Sequence, residues 1–258
     1  MHPTLNIAVR AARAAGNVIA RGLEYRDDLM LETKGDNDFV TRIDKEAERV
    51  IIDTISQSYP NHSFLGEESG QTKGENQDFL WIIDPLDGTT NFVRGIPHFC
   101  VSIALQVKGK LDQAVVFDPL RNELFTASKG SGAQLNGFRM RTSRATELAN
   151  TVLATAFPFK DRDQFPLSQQ RFAAIFEQCG DIRRSGSAAL DLAYVAADRY
   201  DGYWEIGVQP WDTAAGELLV REAGGMVTDY SGGNDHVARK EVVAGNPKVV
   251  QAIVKAFR

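Results

Sequence analysis

The chain has 258 residues, 43% of them hydrophobic and 24% charged, with 29 Lys+Arg against 34 Asp+Glu for a net charge of −5. That length supports a substantial core in one large domain or two lobes, and the mixed charge and ordinary apolar content exclude a disordered or low-complexity chain. No apolar run approaches the roughly 18 residues a membrane span needs, and mild acidity argues against nucleic acid as the main ligand while leaving room for a local basic patch.

Met1-His2-Pro3-Thr4 leads into a helical pattern, not into a basic stretch with a signal-peptide core. Cys100 and Cys179 make neither a disulfide framework nor a metal-ligand spacing. The expected setting is therefore a reducing cytoplasm.

In chain order, Leu5, Ala8, Val9, Ala12, Ala15, Ile19 and Leu23 share one face of a helix predicted over 4–23. The polar stretch 24–40, with Lys34-Gly35-Asp36-Asn37-Asp38, reads as a turn-rich loop. Ile43, Ala47, Val50, Ile51, Thr54 and Ile55 line a second helix that stops before Tyr59-Pro60-Asn61. Phe64-Leu65 reads as a short strand. Phe79-Leu80-Trp81-Ile82-Ile83 is an apolar run of strand length, expected to be buried on both faces.

Residues 101–107, 113–117 and 123–127 give further strands, and Asn136-Gly137 is a hairpin signal. Helices follow at 166–178, at 187–199 with Ser187 as cap, and at 212–223 before Gly224-Gly225. Tyr203-Trp204-Glu205-Ile206 reads as a strand, and Asn246-Pro247 opens a terminal helix. Helices before, between and after the sheet segments imply an α+β or mixed α/β fold in one unit.

The chemistry concentrates in Trp81-Ile82-Ile83-Asp84-Pro85-Leu86-Asp87-Gly88-Thr89-Thr90-Asn91. A buried strand delivers Asp84, Pro85 has no N–H to continue a ladder, and Asp87-Gly88 turns the chain into a helix start. Two carboxylates three residues apart then converge beside helix-start N–H groups, a natural phosphate seat. Taken alone, an Asp-Gly pair is usually a solvated turn. Gly66-Glu67-Glu68-Ser69, Asp212 after Trp211 and Asp44 in a first helical turn are further acidic spots. Each has an ordinary reading as an exposed loop, a helix cap or a dipole-favoured placement.

Together, Asp84-Pro-Leu-Asp87-Gly-Thr89-Thr-Asn, Gly66-Glu67-Glu68-Ser69 and Trp211-Asp212-Thr-Ala-Ala-Gly216 resemble the inositol monophosphatases. Lys34 to Asp44, Arg183 to Leu192 and Asp229 to Gly233 extend the resemblance over the whole chain, closest to the bacterial branch of that family. The resemblance implies a layered αβαβα sandwich and a homodimer. It also implies a single catalytic domain over 1–258 with two lobes meeting near 140–150. Two Mg²⁺ ions are implied, one on Glu67, Asp84 and the Leu86 carbonyl, the other on Asp84, Asp87 and Asp212. A third, weakly bound ion would lie near Glu67, with Lys34 close to it.

By the same resemblance, Asp87, Gly88 and Thr89 seat the phosphate, and Thr89 with Asp44 orients the attacking water. Gly186, Ser187, Ala188, Glu205 and Asp212 line the sugar hydroxyls, with Arg183 nearby. One departure is Phe157-Pro158, where animal members carry a small Gly-Ser pair, which puts tight preference for one inositol phosphate in doubt.

Physical chemistry supports the ligand set. Glu67, Asp84, Asp87 and Asp212 bring four negative charges, which two Mg²⁺ ions cancel. Mg²⁺ prefers oxygen ligands and shares its sphere with water and substrate phosphate. Without metal the carboxylates repel, so at least one pKa rises.

The activity implied is Mg²⁺-dependent hydrolysis of inositol 1-phosphate and related small polyol phosphates, with lithium sensitivity as a class property. A phospho-aspartate route through Asp84 or Asp87 is disfavoured because in the family both side chains serve metal. A nucleotide 3′-phosphatase or sugar bisphosphatase lacks an obvious basic cluster for a second phosphate. Members of the bacterial branch are also associated with ribosomal RNA synthesis. A docking role on transcription factors, RNA polymerase or RNA is the alternative, carried by basic residues such as Lys108, Lys110, Arg139, Arg141, Arg144, Arg183 and Arg184. His2, His62, His98, His236 and both cysteines are expected to be structural or surface residues.

Overall fold

The computed structural model describes residues 2–24, 31–35 and 38–258. Helix α1 (Pro3–Glu24) buries Leu5, Ala8, Ala12, Ala15 and Ile19, and α2 (Arg42–Ser56) buries Ile43, Ala47, Ile51 and Ile55. Each set recurs every three or four residues, the period of one helical face. Between them the stretch read as a loop holds two strands, β1 (Leu31–Gly35) and β2 (Asp38–Thr41), paired antiparallel with Leu31 opposite Thr41. Periodicity does not separate two such short strands from a loop. The side chain of Lys34 lies outside the described residues.

Eight strands form the larger sheet in the order β10-β9-β8-β7-β6-β5-β3-β4. They are β3 (His62–Gly66), β4 (Gly70–Thr72), β5 (Asn76–Asp87), β6 (Cys100–Val107), β7 (Lys110–Asp118), β8 (Glu123–Ser128), β9 (Gly132–Leu135) and β10 (Phe138–Arg139). All neighbours are antiparallel except β3 and β5. After β5 comes the short helix α3 (Thr89–Arg94).

A second sheet, ordered β12-β11-β13-β15-β14, joins β11 (Val152–Thr155), β12 (Asp181–Arg183), β13 (Gly202–Ile206), β14 (Met226–Thr228) and β15 (Glu241–Gly245). Four of these went unread in the sequence, because three to five residues give too little alternation to register. The remaining helices are α4 (Phe165–Phe176), α5 (Ala188–Ala196), α6 (Pro210–Glu222), α7 (His236–Arg239) and α8 (Pro247–Ala256).

Side-chain alternation along the strands builds the layers. Trp81, Ile83, Val101, Ile103, Val115 and Phe117 pack with α1 and α2. Ile82, Cys100, Ala104, Ala114 and Val116 point the other way, onto α5 and α6. The same core takes Ala154, Tyr203, Val242 and Ala244 from the inner face of the second sheet. Leu153, Trp204 and Val243 from its outer face meet Ile175 of α4 and Val249, Val250 and Ile253 of α8. The result is the αβαβα sandwich that the resemblance implied. Its central helices approach closely, since a Cβ on Gly216 of α6 would stand 2.4 Å from the Leu192 Cβ of α5. Among the described residues no helix is long and apolar enough to cross a membrane.

Candidate active site

Strand β5 does not end at Asp84, as the sequence suggested, but runs to Asp87 through a β-bulge. Asp84 faces Ser102 and Asp87 faces Cys100, so three steps on β5 match two on β6. In a regular strand residues three apart point to opposite faces. The extra residue removes that alternation and turns both carboxylates to one side. Pro85 is tolerated because a bulge has no ladder bond to lose, and the Leu86 N–H goes to Asp84 Oδ1 at 3.0 Å. Gly88, at φ 102°, then admits α3, and the Thr89 hydroxyl donates to the Leu86 carbonyl at 3.1 Å.

The parallel neighbour β3 ends alongside. Gly66 pairs with Ile83, and the Glu67 N–H donates to the Ile83 carbonyl at 3.1 Å, which sets Glu67 beside Asp84. Buried Glu48 of α2 fixes the following loop by accepting the Glu68 and Ser69 N–H groups at 3.1 and 2.8 Å. Asp44, also buried, lies in the first turn of the same helix.

The layer of α5 and α6 closes the cleft. Asp87 Oδ2 accepts the Ser187 hydroxyl at 2.6 Å and the Ala189 N–H at 2.7 Å, so it sits on the N-terminus of α5. Helix α6 starts at Pro210, two residues before the sequence reading. Asp212 is thus in its first turn and not its cap, with Oδ2 accepting the Gln209 N–H at 2.6 Å. The Trp211 carbonyl accepts the Ser102 hydroxyl at 3.3 Å, which ties this helix start to the strand position facing Asp84. Farther in, the Tyr203 hydroxyl donates to Glu205.

Electrostatics join these groups. Burial, and then repulsion from Glu67, Asp87, Asp212 and Asp44, raises Asp84 well above the usual carboxylate range; its exposure is 2%. Asp212 is raised by burial and by Asp87 and Glu67. Burial also raises Asp87, opposed by its bonds from Ser187 and Ala189. Glu205 is pushed up to about 7 by burial, with the Tyr203 hydrogen bond opposing. Burial holds the Cys100 thiol high, Sγ lying 3.9 Å from Asp87 Oδ2, so it is no thiolate.

The donor pattern fits a cation. Asp84, Asp87 and Asp212 each commit one oxygen to protein donors, and the other makes no protein hydrogen bond among the described residues. Carboxylates held by one oxygen with the second turned to a shared cleft are oriented ligands. Among the described residues no group of three or more His, Cys, Asp or Glu side chains is arranged to hold a metal ion by itself. Mg²⁺ is bound by one or two carboxylates together with water, carbonyl and phosphate oxygens.

Of the substrate residues expected from sequence, Ser187 caps α5 and bonds to Asp87, Gly186 (φ 94°) precedes it, and Ala188 is the first residue of that helix. Arg183 points outward on an edge strand, 2.5 Å from Asp181, both exposed. Arg184 is exposed too, but its guanidinium lies toward the cleft. A Cβ on Gly186 would meet its Nη1 at 2.9 Å, its charge lowers the raised Glu205 and Asp191, and its guanidinium lies 5.3 Å from the centre of the Phe159 ring.

Sequence reasoning gave no role to Glu48, Asn91 or Tyr203. Buried Asn91 donates to the carbonyls of His98 and Ser185 at 2.7 and 2.9 Å, joining the two halves of the cleft. Its place in the Asp84–Asn91 motif was the available signal. Glu48 and Tyr203 had none.

Comparison with known proteins gives the same direction. The profile described as the inositol monophosphatase family matches residues 1–258. The Escherichia coli K12 protein named Nus factor SuhB is 58% identical over 258 residues, covering 100% of this chain and 97% of that protein. The crystal structure of extragenic suppressor protein suhB from Bartonella henselae superposes with a TM-score of 0.97 at 43% identity, over 100% of this chain and 99% of the other. Inositol monophosphatase from Anabaena gives 0.88 at 40% identity, over 98% and 94%.

Proposed function

The chain belongs to the inositol monophosphatase family, and from that premise we propose that it is a Mg²⁺-dependent phosphomonoesterase acting on inositol 1-phosphate and related small polyol phosphates. The observation that carries this reading is the cluster of Glu67, Asp84, Asp87 and Asp212. Burial, and then mutual repulsion, raises Asp84 and Asp212, and three of its members leave one oxygen without a protein hydrogen bond among the described residues.

Glu67, Asp84 and the Leu86 carbonyl would hold one ion, and Asp84, Asp87 and Asp212 the other, with a third weaker one near Glu67. Bound Mg²⁺ supplies charge neutralisation, polarises the phosphoryl group and makes water a better nucleophile.

The chain's own groups do the rest. The N–H groups of Gly88 and Thr89 open α3, where a helix leaves its first N–H groups without internal partners, and they receive the phosphate oxygens. Thr89 Oγ1 gives its hydrogen to the Leu86 carbonyl and keeps lone pairs for a water, which Thr89 and Asp44 would orient together. Glu205, at a pKa of about 7, trades hydrogen bonds with polyol hydroxyls in either protonation state. Gly186, Ser187, Ala188 and Asp212 complete the polyol contacts, and Arg184 takes the place expected of Arg183, which is turned to Asp181.

Phosphate release from inositol 1-phosphate, with Mg²⁺ and with EDTA, tests the reading beside 3′-phosphoadenosine and fructose 1,6-bisphosphate. Metal-dependent turnover of the inositol ester above the others is expected. Asp84→Asn and Asp212→Asn should each reduce it by more than about 100-fold, the upper range even for residues that only orient ligands. Full activity in either variant overturns the ligand assignment.

A second reading, docking on the transcription machinery, is favoured by one surface. Phe157, Phe159, Phe165, Phe172 and Phe176 form a chain of rings on and before α4 with centroids 5.6–6.4 Å apart. Phe159, Phe165 and Phe176 are exposed, the last at 65%. Contiguous exposed aromatics mark protein contact, and a relative is named Nus factor SuhB. The basic residues are less concentrated. Lys108 lies 3.9 Å from Asp78, and Arg183 is paired with Asp181. Retention of RNA polymerase or its elongation factors by Asp84→Asn, and loss by Phe165→Ser/Phe176→Ser, supports docking. Sedimentation of the same proteins tests the homodimer that the family resemblance implies.

A further inference from the structure

The loop that carries Glu67 is gripped by a helix. Glu67 has its own N–H on the Ile83 carbonyl of β5 at 3.1 Å. The next two N–H groups both go to one side chain of α2, for Glu48 Oε2 accepts from Glu68 at 3.1 Å and Oε1 from Ser69 at 2.8 Å. Three successive N–H groups are thus committed, the first to the sheet and the other two to the helix. On the other side of Glu67, Gly66 lies against the same carboxylate. A Cβ there would run into both Glu48 oxygens, so the glycine at the end of β3 permits the approach.

Folding alone does not require an acid at this position. Ser69 is exposed, and water could meet its N–H as well as a side chain does. Glu48 is 2% exposed, and burying such a group is costly where an apolar residue would pack on the same helical face. A costly residue that holds backbone on both sides of one side chain points to a demand for a fixed position of that side chain.

The same helix carries Asp44, four residues before Glu48 and hence on the same face one turn away. Helix α2 therefore presents Asp44 toward the water position of the phosphatase reading and, through Glu48, holds the loop of Glu67. The two acidic groups are fixed to one rigid element, although they lie 23 residues apart in the chain.

We propose that Glu48 is a positioning residue for the metal centre. It fixes the reach of Glu67 toward the ion shared with Asp84 and keeps that ligand in register with Asp44. The proposal rests on the phosphatase reading, to which Glu67 as a metal ligand belongs. Outer contacts of this kind typically change metal affinity by about 10–100-fold when they are removed.

The test is Mg²⁺ titration calorimetry of the full-length protein, with amide hydrogen exchange of the metal-free form. Glu48→Gln keeps the side chain's size but turns an NH₂ group toward one of the two N–H donors. Gly66→Ala keeps Glu48 and displaces its carboxylate. Ile51→Val, a smaller side chain at a buried position of the same helix, controls for lost stability. In Glu48→Gln and Gly66→Ala the Mg²⁺ held through Glu67 should bind about 10–100-fold more weakly, while the ion held by Asp87 and Asp212 keeps its affinity. The Glu68 and Ser69 amides should exchange faster before any metal is added, and Ile51→Val should change neither readout. Unchanged affinity in both variants overturns the proposal, as does an equal loss for both ions or the same loss in Ile51→Val, which would make Glu48 a support of the fold only. Those outcomes leave the metal reading standing. Wild-type protein that takes up no Mg²⁺ overturns that reading, and this proposal with it.

Discussion

Asp84 is buried beside Glu67, Asp87, Asp212 and Asp44, with the Leu86 N–H as its one protein donor among the described residues, so its ionised form works against the metal-free fold. A raised folded-state pKa means that the native state holds protons the unfolded chain has released. The stabilisation is complete below the unfolded carboxylate value near 4 and is lost as pH rises through the raised values. For Glu205 that window runs from 4.5 to about 7. Denaturant melts of EDTA-treated protein should therefore show the midpoint falling between pH 4 and 8, with saturating Mg²⁺ reversing the fall.

Asp84→Asn removes the central charge. It should raise the metal-free Tm by a few degrees, since about 1 kcal/mol is worth roughly 2–4 °C in a chain of this size, while turnover is lost. Ser187 acts through Asp87: its hydroxyl holds Oδ2 at 2.6 Å and also caps α5. Ser187→Ala should weaken Mg²⁺ affinity by about 10–100-fold, read by isothermal titration. A change in Tm alone, without a change in affinity, would leave Ser187 as a cap only.

Three elements carry the site, and each does so through a local irregularity. The bulge in β5 brings Asp84 and Asp87 to one face. The end of β3 sets Glu67 against Ile83. The start of α6 at Pro210 puts Asp212 one turn in, where the Gln209 N–H holds it. The central helices must also lie close enough for α5 to meet Asp87 while α6 delivers Asp212, and Gly216 permits it. With its Cβ 2.4 Å from that of Leu192, Gly216→Ala forces the helices apart. Overpacking of this kind costs about 1–3 kcal/mol. The expected outcome is a thermal melt several degrees lower and a weakened Mg²⁺ affinity, because the displaced helices bear the ligands and their supports.

In the whole molecule the middle helical layer belongs to both sheets. Ala104 and Ala114 of the larger sheet and Ala154 and Ala244 of the smaller one belong to one hydrophobic core with residues of α5 and α6. Neither sheet can expose its inner face without stripping the other's, so calorimetry should show one unfolding transition, not two. The cleft lies between these layers, with Glu67, Asp84 and Asp87 from one side and Asp212 and Glu205 from the other. Mg²⁺ binding should therefore raise that single transition as a unit. At a hundredfold excess over Kd the stabilisation is about 2.7 kcal/mol per site, roughly 5–10 °C. Two separated transitions, with only one moved by Mg²⁺, would show that the lobes unfold independently.

The sequence alone determined the fold class, the long helices and the central strands, because their apolar periodicity is local and strong. It also determined the acidic motif, because Asp84 to Asn91 stand within eight residues. It missed what depends on contacts between distant segments. The hairpin at 31–41 and the short strands of the second sheet exist through their partners, Glu48 and Asn91 hold groups 20 and 94 residues away, and Tyr203 gains its role because the fold buries Glu205 beside it. Arg183 and Arg184 are adjacent and chemically alike, and only the edge of β12 decides which one faces the cleft. Register was hidden for the same reason. A one-residue bulge reverses the facing of every side chain beyond it, and its position is fixed by the opposing strand, which a reading of β5 by itself does not contain.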